Sequence, residues 1–206
     1  MNNSITPLID ESNRLLAEAI KHFKLTVPME NIVVTIQSKG RKNAIGWFWR
    51  DRWANGKKPK LHEINLSAEW LTKHDMSETL IHELAHAENH HRGIDDTDKS
   101  GRRHNKKFKS MAEQLGLIVE KAGSFGFAFT KLGPDAISFL DKAKFNKELF
   151  SMCRLVPTAK VAAGSRLVKC ECSGPEGCGY VARITQKWID TGLPTCPCGN
   201  DMEVAS

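Results

Sequence analysis

Residues 82–86 read His-Glu-Leu-Ala-His, and this spacing constrains the chain more than any other feature. On an α-helix residues i and i+4 share a face, so both imidazoles can reach one ion while Glu83 projects beside them. In a strand the same two residues would stand about 13 Å apart. The flanking residues agree with a helix, because Met76, Leu80, Leu84 and Ala87 recur at helical spacing over about 77–91. Two histidines with an intervening glutamate suit a Zn²⁺ whose open position lies beside a general base, which is the role this pattern assigns to Glu83.

A catalytic zinc usually takes three protein ligands. His90 lies eight residues from His82, about 12 Å along a helix axis, which is too far to share the ion. A metzincin would need Gly at 89 and His at 92, where this chain has Asn89 and Arg92. A thermolysin-like glutamate would fall near Lys106. His104, after a polar loop over 93–103, is the preferred third ligand, its alternative being a helix-cap or phosphate-contacting role. His90 and His91 are expected to be solvated. Asp96, Asp98, Ser100 and Gly101 imitate the start of a calcium loop, but Lys107 stands where a bidentate glutamate is required.

The remaining chain supplies a core. Apolar residues at helical spacing over 5–23 predict an amphipathic helix. Residues 31–37 and 43–49 are β-rich runs separated by Ser-Lys-Gly-Arg-Lys, which suggests a hairpin, and 61–66 reads as a third strand. A helix over about 104–115 buries Phe108, Met111, Ala112 and Leu115 and stops at Gly116. Glycines break the next stretch, 135–150 reads as one helix, and 159–165 resembles a linker. In 206 residues, 40% of them apolar, one catalytic-sized core and one small module fit, but two large domains do not. No apolar run approaches the ~18 residues of a membrane helix and the first residues lack a signal pattern, so a soluble cytoplasmic chain is expected.

Five of the six cysteines, Cys170, Cys172, Cys178, Cys196 and Cys198, fall in the last 37 residues. In a reducing compartment such a cluster is a metal module in preference to a disulfide framework. Cys196-Pro197-Cys198-Gly199 supplies one knuckle, and Cys178-Gly179 is the surest part of the other. Cys153, alone, reads as a core residue. The net charge of +6 is also localised: 39–60 carries +7 and 99–109 carries +6, leaving −7 elsewhere. Two such segments are the footprint of a phosphate-binding surface. In the first, Trp47, Trp49 and Trp53 interleave with Arg50 and Arg52, and Arg41, Lys42, Lys57 and Lys58 flank them. Stacking on DNA bases, single-stranded ones in particular, is one reading. The other is a buried strand face shared by Trp47 and Trp49. The second segment offers Arg102, Arg103, Lys106 and Lys107.

His-Glu-Leu-Ala-His-Ala-Glu-Asn-His-His-Arg-Gly-Ile-Asp-Asp, followed by Ser-Gly-Arg-Arg-His-Asn-Lys-Lys-Phe-Lys-Ser-Met-Ala-Glu-Gln-Leu-Gly-Leu, resembles the SprT-like (Spartan-related) zinc metalloproteases. The likeness extends over about 30–116, with 166–202 similar to the zinc ribbon of bacterial and phage members. It implies an α+β, zincin-like metalloprotease domain over 1–150, with a small β-sheet and the HExxH helix. A linker over 151–165 and a zinc ribbon over 166–206 follow. It implies His82, His86 and His104 as ligands of a catalytic Zn²⁺, Glu83 as the catalytic residue, and a structural Zn²⁺ on Cys172, Cys178, Cys196 and Cys198, with Cys170 able to substitute for Cys172. The implied function is peptide hydrolysis in DNA-associated protein substrates. The alternatives are a non-catalytic zinc-scaffolded adaptor for nucleic acid, or a peptidase of a free regulatory protein.

Overall fold

A computed structural model describes residues 4–38, 44–56, 58–155, 167–174 and 178–205. The chain divides into two compact units, Met1–Val156 and Pro157–Ser206. The expected linker segment 159–165 lies outside the described residues.

In the first unit, α1 (Thr6–His22) starts with a proline in its first turn, where a missing N–H costs nothing, and buries Leu8, Leu15, Leu16 and Ala19. Three strands, β1 (Ile32–Gln37), β2 (Gly46–Asn55) and β3 (Lys58–Ser67), form a sheet in the order β1-β3-β2. The hairpin expected between the first two runs is not formed. β1 pairs β3 in parallel and β2 pairs β3 antiparallel, so the first two runs sit on opposite edges. The tight turn lies instead after Asn55, where Asn55 pairs Lys58 and Gly56 supplies the positive φ, +58°, that the first position of a two-residue hairpin loop requires. β3 takes the centre because it can be buried on both faces. Ile64 and Leu66 are fully buried, and on the alternate positions Glu63 and Asn65 are buried with donors to their oxygens, while Asn65 Nδ2 has no partner among the described residues. Trp53 Nε1 donates to Glu63 Oε2 at 2.8 Å and Thr35 Oγ1 to Asn65 Oδ1 at 2.7 Å.

The central helix α2 (Met76–His91) begins at Asp75, whose side chain accepts from the Ser77 and Glu78 amides. Leu80, Ile81, Leu84, Ala85 and Ala87 are all fully buried, so this helix is enclosed on most sides and positions whatever it carries. Its last turn holds the fully buried Glu88. That carboxylate accepts from the Val27 amide at 2.8 Å, from the Thr26 amide and hydroxyl, and from Arg92 Nε at 2.6 Å. Burial opposes ionisation, but these donors outweigh it and hold the carboxyl below its ordinary value. A depressed folded pKa stabilises above the unfolded value and loses that stabilisation as pH falls through the folded one. Glu88→Gln should therefore cost about 1–3 kcal/mol near neutral pH, the cost of a buried donor left unmatched. The gap between variant and parent should narrow as pH falls below the ordinary glutamate value and close only below the lowered one. Urea midpoints across pH measure both.

The helix expected from 104 begins two residues later: α3 (Lys106–Gln114) is capped by Asn105, which accepts from the Lys107 and Phe108 amides. Beyond it, β4 (Leu117–Glu120) and β5 (Phe129–Leu132) form an antiparallel pair, followed by α4 (Pro134–Ala143). The single helix expected over 135–150 stops at Ala143. Lys144 turns into the left-handed region at φ +51°, and Asn146 caps a short 3-10 turn over Lys147–Phe150 that inserts Phe150 into the core. Cys153 packs half-buried against that core.

In the second unit β6 (Leu167–Cys172), β7 (Val181–Thr185) and β8 (Met202–Val204) form an antiparallel sheet in the order β7-β6-β8, with a short α5 (Gln186–Thr191). Among the described residues no helix is long and apolar enough to cross a membrane.

Candidate metal centre

α2 presents His82 and His86 one turn apart, and the chain returns after a loop to bring His104 against them. His104 Nε2 lies 3.3 Å from His82 Nε2 and 2.9 Å from His86 Nε2. Imidazoles about 2.1 Å from a tetrahedral zinc would hold their nitrogens about 3.4 Å apart, so the donor set fits such an ion with small adjustments. His104 is not on a helix. Its backbone bridges Thr97 on one side and Gly126 on the other, with its N–H donating to Phe125 O at 2.9 Å and its carbonyl accepting from Phe127 N at 3.1 Å. Gly126 has φ +69°, and a Cβ there would lie 2.2 Å from the His104 carbonyl oxygen. Only glycine lets the two backbones meet.

The outer nitrogens of His86 and His82 are held by partners that favour the metal-facing tautomer, whereas His104 Nδ1 is buried without a partner among the described residues. His86 Nδ1 lies 2.8 Å from Asp96 Oδ2, which also accepts from Asn89 Nδ2 at 3.0 Å. His82 Nδ1 lies 3.0 Å from Thr130 Oγ1, whose hydroxyl donates to Glu78 Oε1 at 2.5 Å. With its proton given to Glu78, the threonine oxygen accepts from His82 Nδ1–H, leaving Nε2 unprotonated toward the other rings. This is the outer-shell arrangement that orients metal-ligating histidines.

Electrostatics agree with ligand duty. Burial, then the neighbouring imidazoles, holds His82 well below the ordinary histidine value and takes His104 down to about 4. Both rings are neutral at pH 7, as a metal requires. Burial pulls His86 the same way, but the Asp96 carboxylate beside it prevails and raises it. Phe108, fully buried, packs on all three rings at centroid distances of 4.6, 4.5 and 4.4 Å, an apolar wall that keeps their orientation.

Glu83 is buried at 6% exposure beside the histidines. A Cβ at Gly46, the first residue of β2, would lie 2.6 Å from Thr79 Cγ2, 2.9 Å from Asn65 O and 3.5 Å from Glu83 Oε1. The edge strand thus runs close over the helix at Glu83, and glycine is what allows it.

Spacing alone did not single out Asp96, Thr130, Gly46 or Gly126. In the sequence Asp96 stands out only as part of a calcium-like loop. Its actual companion Asp98 caps the following turn, accepting from Ser100 Oγ at 2.7 Å and from the amides of Ser100, Arg102 and Arg103. His91 is exposed, whereas His90, expected to be solvated, is half-buried edge-on against His62 at 4.8 Å.

In the second unit Cys172, Cys178, Cys196 and Cys198 converge, all four sulfurs within 4.8 Å of one another. Cys172–Cys198 and Cys178–Cys196 lie at 3.5 and 3.3 Å, near the about 3.8 Å edge of a tetrahedral thiolate shell. The Asn200 amide, then the adjoining thiols, draws Cys198 down to about 6. Gly179 and Gly199 turn at φ +71° and +89° beside their cysteines. Cys170 is not in the group; it is fully buried with Cys196 and Met202 in the small apolar core. The cluster is compatible with a zinc ribbon.

Of the basic and aromatic candidates, Arg41, Lys42 and Lys57 lie outside the described residues, as does the side chain of Lys58. Arg50, Arg52, Arg102, Arg103, Lys106 and Lys107 are exposed. Trp47 is half-buried, but Trp49 is 50% exposed with the Arg52 guanidinium 4.2 Å above its ring, so the two do not share a buried face.

A mixed α/β unit whose central helix presents two histidines to a third, beside a buried glutamate, fits a zincin-like metal-binding fold. The model of the SprT-like family matches residues 12–126, more than half of the chain. The chain belongs to the SprT-like family, which is generally metalloprotease-like. No curated protein and no solved structure matches it.

Proposed function

We propose that the chain is a zinc-dependent peptidase acting on DNA-associated proteins, with His82, His86 and His104 holding the catalytic ion and Glu83 as general base. The observation that carries this reading is the convergence of three imidazole nitrogens beside a buried carboxylate, since a purely structural site has no use for Glu83 there. When bound, zinc supplies Lewis acidity at an open coordination position. The Glu83 carboxylate takes the proton of the attacking water and returns it to the leaving amine. Asp96 and Thr130 hold the tautomers of His86 and His82, and Phe108 excludes water from their apolar side. Cys172, Cys178, Cys196 and Cys198 hold a second, structural zinc.

DNA as the setting is supported by the localised charge and by the exposed Trp49 beneath Arg52, a surface suited to base stacking. Arg41, Lys42, Arg50, Lys57, Lys58, Arg102, Arg103, Lys106 and Lys107 would neutralise phosphates, and Trp47 and Trp53 flank the stacking surface. Replacing Arg41, Lys42, Lys57 and Lys58 by alanine should make the slope of log affinity against log salt shallower by up to about 3 on single strands, the counterions released by four contacts. An unchanged slope would assign those charges to solubility.

The test of the whole reading is cleavage of a DNA-bound protein by the zinc-loaded chain, with and without single-stranded DNA and with a chelator. Cleavage that DNA stimulates and chelation removes is expected. Cleavage indifferent to DNA would point to a free protein substrate, and none on free or bound proteins would remove the peptidase.

A further inference from the structure

β2 and β3 lose register between Trp49, opposite Glu63, and Trp53, opposite Leu61. Three residues of β2, Arg50-Asp51-Arg52, therefore stand opposite the single residue His62. Asp51, at the middle of this bulge, sits at φ +52°, a conformation that L-residues other than Asn and Asp rarely adopt. Bulges re-aim side chains and gather at functional sites. This one turns the Asp51 amide onto His62 Nδ1 at 3.1 Å and places its carboxylate oxygen 3.8 Å from the same nitrogen. His62 Nδ1 accepts that N–H, which engages its one lone pair. His90, from the last turn of α2, meets the His62 ring edge-on at a centroid distance of 4.8 Å. Phe48 closes the apolar side at 5.7 Å from His62 and 5.8 Å from His90.

We propose that Asp51, His62 and His90 form a further metal site, separate from the histidine and cysteine centres, for a borderline divalent ion such as Zn²⁺, Co²⁺ or Ni²⁺. One ligand atom from each of the three lies within 4.8 Å of the others. Two imidazoles and one carboxylate favour these ions over calcium or magnesium, which take oxygen shells. The His62 side chain is only 12% exposed while that of Asp51 is 54% exposed, so the ion enters from the carboxylate side. An ion bound at His62 Nδ1 would take the lone pair that the Asp51 N–H now engages, and so would displace that hydrogen bond. The ion would fasten the β2 bulge, which carries Arg52 over Trp49, to the turn of α2 that follows His86. It is a clamp between the strand edge and the helix of the first centre.

This site does not depend on the peptidase reading, and its test separates the two. The full chain is equilibrated with buffered free zinc and its metal content measured. Three ions per chain are expected, one for each ligand group. Asp51→Asn, which tolerates the same backbone conformation, should weaken one equivalent by about 10–100-fold or more, the loss seen for a lesser outer-shell partner. His62→Gln/His90→Gln should abolish that equivalent. His82→Ala/His86→Ala should remove a different one, leaving the site intact even if no proteolysis is ever found. Because the double glutamine variant could unfold, imidazole ¹⁵N resonances provide a second measurement on a chain that keeps both histidines: zinc should shift those of His62 and His90 in the His82→Ala/His86→Ala chain. Only two equivalents in the parent, a third that survives Asp51→Asn and the glutamine pair, or resonances indifferent to zinc would each overturn the site.

Discussion

Glu83→Gln is expected to reduce proteolysis by about two orders of magnitude or more, the scale of a lost general base, while zinc content stays that of the parent. The substitution preserves side-chain size at a buried position packed beside Gly46, and His82, His86 and His104 are untouched, so fold and metal should survive. DNA binding should survive as well, because none of the basic residues is altered. Measuring turnover and bound zinc on the same preparation separates catalysis from scaffolding. Full activity in the variant would make the helix structural and move the adaptor reading ahead.

His104→Ala should have the second large effect, on affinity for the catalytic ion. His82 and His86 share one helix, and two imidazoles alone would leave an ion half-coordinated. His104 closes the site from a different part of the chain, its Nε2 2.9 and 3.3 Å from the other two. Loss of a directly bonded ligand should exceed the about 10–100-fold cost of losing an outer-shell partner. The four cysteines lie in the other compact unit, so their ion should be retained. Competition with a chelator of known affinity reads the two ions apart. If zinc content and proteolysis both persist, His104 is not a ligand.

The contrast between these residues and their supports shows what was legible in the sequence. His82, Glu83 and His86 could be read because the helical period is a local property: four residues of spacing become one face whatever surrounds them. His104 was readable as the next histidine able to return, and Cys178 and Cys198 as knuckles carrying a glycine. Length, charge distribution and the core of α1, α2 and α3 are equally local quantities. The pairing of strands is not. β1 and β2 look adjacent along the chain, yet β3 comes between them, because the strand that can be buried on both faces takes the centre and the tight turn at Gly56 pairs it with β2.

Nor could spacing reveal Thr130, 48 residues from the His82 ring that it orients, on a strand in a segment that matched no pattern. The same holds for Gly126, whose missing side chain matters only because the His104 backbone passes there, and for Asp51, His62 and His90, which come from a bulge, a strand and a helix end. Sequence alone determined which residues could bind metal and move a proton, because chemistry and helical period travel with the chain. The tertiary structure decided which imidazole nitrogens meet, which backbones touch and which distant hydroxyls and carboxylates partner His82 and His86, because those depend on burial and on contacts between segments far apart in the chain.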